Sequence, residues 1–584
     1  MALFEATSAS SPSAKKRCSS SQLADLDGSP SKKQGIELTP KTSEQWQSPL
    51  HCFTRNASVA TAEMASFATT GMAVEEPIPL DPIEAEHSEL AGLDYKTQTV
   101  TLEIMAGQSR TVASEEVVDV LVSVKPPDAP DTGKPLPCDI TCVIDTSGSM
   151  SREATIQDAA GNTERHGLSL LDVAKHGVRT VINSMHAADR LCLVGFSSIA
   201  TTVLPLTSMD NKGKELAQQK LDELVAYGGT DIWQGLSHGL DALHTDVEKG
   251  RLGHIMLLTD GVSQSADRII PNLQQYCTKH ERLPGTISTF GFGYNLDSRL
   301  LVQLATEGSG SYSFIPDAGF VGTVFVNTLS NLLVTMAHEV YLGLEPDLDV
   351  GAELIFKDCM LGDLPVTKQD GYMRVKLGTL QYGQTKDILL RMRTGSAAVP
   401  FLAASVQYEP AVGHHGVPVR SPLAEASCGD IHEDTLQKIE VNRCRSIFAD
   451  VLLHIFRHQL DVDRAKALLS HAIEEVRASP AREEESVKAL LEDMCGQCTE
   501  ALSRQDWFLK WGILYLPSIM FAHRLQQCNN FKDPGVQCYG GKLFQEIRDD
   551  ADDVFNNLPA PKPSIRRSQA APVSMAAYNN CYSG

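Results

Sequence analysis

Residues 138–149 read Cys138-Asp139-Ile140-Thr141-Cys142-Val143-Ile144-Asp145-Thr146-Ser147-Gly148-Ser149, a buried-strand run that ends in an aspartate and a Ser/Gly turn. Asp-Thr-Ser-Gly-Ser alone is turn chemistry, because Asp, Ser and Gly favour turns for local hydrogen-bonding and φ reasons. Two further stretches change that reading. A second strand run, 254–259, leads into Asp260 of Leu257-Leu258-Thr259-Asp260-Gly261, and Thr230 stands in Gly228-Gly229-Thr230-Asp231. In open α/β sheets, sites form outside the carboxyl ends of strands, where these residues would lie. Asp145, Ser147, Ser149, Thr230 and Asp260 then supply two carboxylates and three hydroxyls, the hard oxygen donors that a compact divalent cation such as Mg²⁺ prefers. Hydroxyl donors are neutral, so if Ser147, Ser149 and Thr230 touch the cation while Asp145 and Asp260 act mostly through water, it keeps net positive charge and a position open to a carboxylate from another protein.

Around these motifs strands and helices alternate. Strands are expected at 138–145, 189–197, 200–206, 254–259, 286–292 and 310–315. Between them lies helical spacing, as in Leu170, Val173, Ala174, Val178, Val181 and Ile182 on one face. Such alternation implies a mostly parallel sheet wrapped by helices. The runs 189–197 and 200–206 are too close for a helical crossover and should form a hairpin with one antiparallel edge strand.

Residues 138–337 resemble a von Willebrand factor A (VWA) domain, and all five positions match that family's metal ion-dependent adhesion site. The resemblance implies a doubly wound Rossmann-like fold, a resident Mg²⁺ (or Mn²⁺ or Ca²⁺), and protein binding through the metal. In some members the last helix, here 320–336, shifts when ligand binds. On either side the pattern turns to strands: Val118, Val120, Val122 and Val124 alternate with Asp119, Leu121 and Ser123, and Ile388, Leu390 and Met392 alternate likewise. Neither run can bury its apolar face alone, so 95–126 and 340–410 are expected to form one β-sandwich into which the VWA domain, 134–338, is inserted. From about 430 the pattern is helical. Its closing block contains Trp511-Gly512, Leu516-Pro517-Ser518, His523, 530–537 and Tyr539-Gly540-Gly541, and it resembles the C-terminal domain that accompanies VWA domains in Hint-associated proteins. A Vwaint-like domain is therefore expected at 430–565. Cysteine spacing for a RING finger and a recognisable Hint domain are not found, so neither ligase nor self-cleaving activity is carried over.

The chain has 584 residues and a formal net charge of −22, which disfavours a nucleic-acid backbone as partner. Its 14 cysteines are scattered and Met1 to Ser20 has no apolar segment, which suggests a reduced, intracellular protein. No run approaches the ~20 apolar residues of a membrane helix. Residues 1–90, rich in Ser, Ala, Pro and Lys, and 566–584 read as disordered tails. Ser11, Ser29, Thr39 and Ser48 precede prolines, where a proline-directed kinase could act, and Lys15-Lys16-Arg17 is a weak nuclear signal beside a cytoplasmic location.

Other constellations carry less. Gly235-Leu236-Ser237-His238-Gly239 matches a serine-hydrolase elbow, but it sits among Ile232, Trp233, Leu236, Leu240 and Leu243, a helical apolar face. Cys495-Gly496-Gln497-Cys498, with His523, Cys528 and Cys538 beyond, lacks the spacing of a compact zinc finger, and its cysteines continue the stripe Val487, Leu490, Leu491 and Met494. His414-His415 reads as a loop, and Cys581 is poorly placed for a lipid. The expected function is an intracellular, non-enzymatic adaptor whose bound cation captures a Glu or Asp of a protein partner. The alternatives are a metal-assisted hydrolase or an accessory component of a ubiquitin-ligase-type complex.

Overall fold

The structure, a computed structural model, describes residues 99–565 except 113–114, 132–135, 158–162, 246–250, 262, 264–265, 356–363, 370, 395–399, 411–417 and 427–431. The expected tails, the Ser/Thr-Pro sites, Lys15-Lys16-Arg17, His414-His415 and Cys581 lie outside the described residues.

Strands β1 (Thr101–Ala106) and β2 (Glu115–Lys125) pair antiparallel before the chain enters a second kind of architecture. There follow β3 (Cys138–Asp145), α1 (Leu170–Ser184), β4 (Arg190–Phe196), β5 (Ala200–Ser208), α2 (Asn211–Asp222), α3 (Ile232–Thr245), β6 (Leu252–Thr259), α4 (Ala266–His280), β7 (Thr286–Phe292), α5 (Ser298–Glu307), β8 (Ser309–Ile315) and α6 (Val321–Leu333). Six strands form one sheet in the order β8-β7-β6-β3-β4-β5, parallel except for β5, which turns back on β4 as the short spacing required. All eight residues of β3 and of β6 are buried, because helices cover both faces of a parallel sheet. Strand order runs outward from β3 in both directions. The crevice between the carboxyl ends of β3 and β6 is therefore the topological switch point, where such sheets open to a ligand.

Helix boundaries have identifiable causes. At the start of α1, Ser169 Oγ accepts from Asp172 N at 3.1 Å and Asp172 Oδ2 accepts from Ser169 N at 2.8 Å, a capping box that satisfies two otherwise orphaned donors. Gly177 lets α1 close on α6: a Cβ there would lie 2.7 Å from the Phe325 ring.

After α6 the chain forms β9 (Thr335–Pro346), β10 (Tyr372–Gln381), β11 (Lys386–Arg393) and β12 (Leu402–Pro410). Strand β9 lies between β10 and β12, whereas β11 joins the earlier pair, with Ile388 opposite Val122, Leu390 opposite Val120 and Met392 opposite Val118. The inner faces, Val118 to Val124, Leu390 and Met392 on one sheet and Leu342, Leu344, Val375 and Val406 on the other, share one core. The parallel-sheet unit is thus inserted between β2 and β9. Its two ends are held side by side, since Gly383 N donates to Pro127 O at 2.9 Å and Tyr382 N to Val334 O at 2.9 Å.

The remaining residues are helical: α7 (Glu433–His458), α8 (Val462–Arg477), α9 (Glu485–Asp493), α10 (Ile513–Leu525) and α11 (Lys542–Asn557). Two features depart from the alternating pattern of the sequence. Strand β2 is buried on both faces, because Leu121 packs with Met105, Leu389 and Ile439 of α7, while Asp119 is paired with Arg391 at 3.0 Å. Helix α6 has all 13 residues buried. Its polar side chains bond into the C-terminal region: Asn331 Nδ2 donates to Cys528 O at 2.7 Å, and Thr323 Oγ1 accepts from Phe531 N at 2.6 Å. Phe555 of α11 fills the space left by Gly322, where a Cβ would be 2.4 Å from its ring.

Deleting residues 1–126 removes β1 and β2 and uncovers Leu390 and Met392. Such a variant is expected to aggregate and to lose amide protection across Lys386–Arg393 in hydrogen exchange; unchanged protection there would contradict the shared sandwich core.

Candidate metal centre

Asp145 ends β3 with its side chain fully buried. The chain then turns sharply. Thr146 N donates to Phe196 O at 2.7 Å, Ser147 N donates to Asp145 Oδ1 at 2.7 Å, and Met150 N closes a 3₁₀ turn on Ser147 O at 3.0 Å. An aspartate accepting the amide two residues on is an Asx turn, the local chemistry for which Asp and Ser are suited. This turn points Ser147 and Ser149 together, with Oγ atoms 2.9 Å apart, and Ser149 Oγ donates to Asp260 Oδ1 at 2.7 Å. The second loop is tied to the first by Gly148 N donating to Gly228 O at 3.0 Å. It brings in Thr230: a methyl group placed on Gly261 would lie 3.4 Å from Thr230 Oγ1 and 3.7 Å from Asp145 Oδ2. The structure thus gathers all five sequence-predicted residues at the carboxyl ends of β3 and β6.

The electrostatics are unbalanced. Burial pushes the Asp145 carboxyl up to about 6, the neighbouring Asp260 adds to the effect, and hydrogen bonds from Thr259 and Ser147 oppose it. Burial raises Asp260 as well, and the charge of Arg152 pulls it back only in part. That arginine is half-exposed and its Nη2 lies 3.7 Å from Asp260 Oδ2, beyond hydrogen-bond length. Asp260 Oδ2 is buried and makes no hydrogen bond among the described residues. Two buried like charges with one distant, solvated cation cost several kcal/mol unless another positive charge is added. The donor set fits a divalent cation. Among the described residues, hard oxygens surround a buried anionic oxygen that lacks a hydrogen bond, and no cluster of three or more His, Cys, Asp or Glu side chains offers a competing metal arrangement.

One participant is absent from the predicted set. Thr259 Oγ1 donates to Asp145 Oδ2 at 2.6 Å and accepts from Gly261 N at 3.2 Å, which fixes the carboxylate's orientation. It is the Thr of Leu-Leu-Thr-Asp-Gly, so the signal was a hydroxyl at the last position of a buried strand. Asp231 caps α3 by accepting from Gln234 N at 3.1 Å. Ser237 lies inside that helix with Oγ donating to Gln234 O at 3.1 Å, so no strand-to-helix elbow exposes it. Cys498 is buried and Cys495 exposed; the nine described cysteines are all free.

Residues 140–263 match the model of the von Willebrand factor type A domain, and residues 484–553 match that of the VWA / Hh protein intein-like segment. The chain therefore contains a VWA domain and a Vwaint-like C-terminal region. A solved von Willebrand factor type A structure from Catenulispora acidiphila superposes with a TM-score of 0.50 at 16% identity, over 68% of this chain and 89% of that one, a likeness of fold. An uncharacterized protein of Synechocystis is 26% identical over 294 residues, 48% of this chain and 62% of its own length. The E3 ubiquitin-protein ligase WAV3 of Arabidopsis thaliana is 23% identical over 314 residues, 53% of this chain and 36% of its own length. The chain thus spans less than two thirds of either relative.

The raised carboxyl gives a pH prediction for protein kept in EDTA. Because the folded value, about 6, exceeds the ordinary 3.8, the native state holds this proton more tightly than the unfolded chain. The resulting stability is complete below pH 4 and is lost as pH rises through 6. Asp145→Asn should therefore be more stable than the native chain at pH 7.5, by roughly 3 kcal/mol, with the gap closing toward pH 4. Chemical denaturation at the two pH values checks this, and a pH-independent gap would contradict it.

Proposed function

We propose that Asp145, Ser147, Ser149, Thr230 and Asp260 hold a divalent cation, Mg²⁺ first and Mn²⁺ or Ca²⁺ by the same oxygen chemistry, and that the protein is an adaptor that captures a Glu or Asp of a protein partner there. The observation that supports this reading is the pair of buried carboxylates at the switch point, with Asp260 Oδ2 left without a hydrogen bond among the described residues. Asp145 and Asp260 provide the negative charge, and Thr259 holds Asp145 in one orientation. Ser147, Ser149 and Thr230 provide neutral lone pairs, so no negative charge beyond that of the two carboxylates opposes an incoming one. A bound cation supplies a Lewis-acidic position for an incoming carboxylate oxygen. The chain's formal charge of −22 repels acidic partners at long range, so selection falls to short-range contacts.

A second reading has one observation behind it, the similarity to an E3 ubiquitin-protein ligase. In that reading the chain is an accessory, partner-selecting component of a ubiquitin-ligase-type complex. It uses the same site and differs only in what is done to the captured protein.

Calorimetry with Mg²⁺ should detect binding to the native chain and none to Asp145→Ala. At about 100 times its Kd, Mg²⁺ should stabilise the native chain by about 2.7 kcal/mol and leave the variant unaffected. Native-like Mg²⁺ affinity in Asp145→Ala would sink the site. Recovery of ubiquitinated partners in Mg²⁺-dependent captures, and not in EDTA, would favour the ligase-component reading.

A further inference from the structure

Beside the five oxygen-bearing residues lie two loops whose large apolar side chains face outward. Ile199 is 70% exposed, Val225 64% and Tyr227 60%. Nine large hydrophobic residues are exposed among the described residues, and scattered single ones are ordinary on any surface. These three are not scattered. Gly229 N donates to Ser198 Oγ at 2.9 Å and Asp231 N to Ser197 O at 2.8 Å, so the loop carrying Ile199 is laced to the loop carrying Tyr227. Both are anchored to the turn after β3: Tyr227 N donates to Thr146 O at 2.7 Å, and Thr146 N donates to Phe196 O, at the start of the loop carrying Ile199, at 2.7 Å. Between Tyr227 and Thr230 stand only Gly228 and Gly229, so no side chain rises between the apolar rim and the hydroxyl. Gly228 has φ +79°, a left-handed conformation that suits glycine.

We infer that Ile199, Val225 and Tyr227 form a specificity rim, and that the partner segment is an extended peptide whose Glu or Asp is directly flanked by large apolar side chains. The inference rests on the proposed metal site and narrows what that site accepts. Two arguments select this occupant over a purely acidic one. Long-range repulsion from a chain of net charge −22 grows with each added partner carboxylate, so an acidic run is disfavoured. Desolvating an exposed Tyr, Ile and Val against apolar partner groups adds affinity that screening by salt does not remove, and aromatic anchors carry much of the energy of small interfaces.

The test uses the full chain and fluorescently labelled nine-residue peptides with one central Glu, flanked either by Leu and Phe or by Ser, followed by anisotropy in Mg²⁺ and in EDTA. The Leu/Phe peptide should bind about tenfold or more tightly than the Ser peptide in Mg²⁺, and neither should bind in EDTA. In the double variant Ile199→Ser/Tyr227→Ser that preference should vanish while calorimetric Mg²⁺ binding stays native. Equal binding of the two peptides by the native chain, or a preference that survives the double variant, overturns the rim while leaving the metal site standing. Failure of the native chain to bind Mg²⁺ overturns the reading beneath it and the rim with it. Sedimentation closes the remaining route: a Mg²⁺-dependent dimer lost in the double variant would assign the rim to a second copy and overturn the peptide as occupant.

Discussion

Two aspartates buried side by side, at the ends of adjacent parallel strands, are the constraint on which the domain's loops depend. Like charges in a water-poor crevice repel and lose hydration together. The chain answers locally with neutral donors: the Ser147 amide and Thr259 hydroxyl on Asp145, and the Ser149 hydroxyl on Asp260. Each of these bonds also fixes a loop. The turn after β3 is closed by Asp145 itself, and the loop before α3 is fastened to that turn through Gly148 and Gly228. Electrostatic stress and loop geometry are thus one problem with one solution, and the surface beside the crevice inherits its order from it.

A second dependence runs through α6. A terminal helix of an inserted domain would ordinarily show a wet face, yet all 13 residues are buried. The cover comes from the C-terminal region, where Phe555 occupies the notch at Gly322 and the backbone near Cys528 and Phe531 takes up the polar groups of Asn331 and Thr323. Movement of α6 must therefore break buried hydrogen bonds in another part of the chain, each about 1 kcal/mol or more when a partner is left unsatisfied. The inserted domain is packed continuously with the helical region rather than standing as a bead on a string.

Much of this was legible in the sequence, for a physical reason. Fully buried parallel strands leave unbroken apolar runs, and the loops at their ends are short, so β3, β6 and the five oxygen-bearing residues that cluster at their ends could be located from local motifs. The hairpin of β4 and β5 followed from spacing alone. What could not be read depended on distant partners. Leu121 and Asp119 alternate with the valines of β2 as an outward face should, and nothing within twenty residues announces that Ile439 of α7 and Arg391 of β11 will cover them. Asn327 and Asn331 look like surface residues of an amphipathic helix because their buried partners are some 200 positions away. Thr259 was visible but ambiguous, since a hydroxyl in a buried strand is as often a core residue as a ligand's support.

The turn at Tyr382 and Gly383 shows how three regions become one body. Its two amides hold the entry and the exit of the inserted domain, at Pro127 and Val334. Gly383 adopts φ +67°, which a side chain would strain, and the C-terminal loop comes so close that a Cβ on Gly541 would lie 2.5 Å from Gly383 O. A contact that close leaves no room for a side chain on Gly541, so backbone shape adds to the shared apolar cores in setting how sandwich, inserted domain and Vwaint-like region meet. Backbone-to-backbone contacts have few soft degrees of freedom. The C-terminal loop therefore abuts the same turn that holds both linkers of the inserted domain.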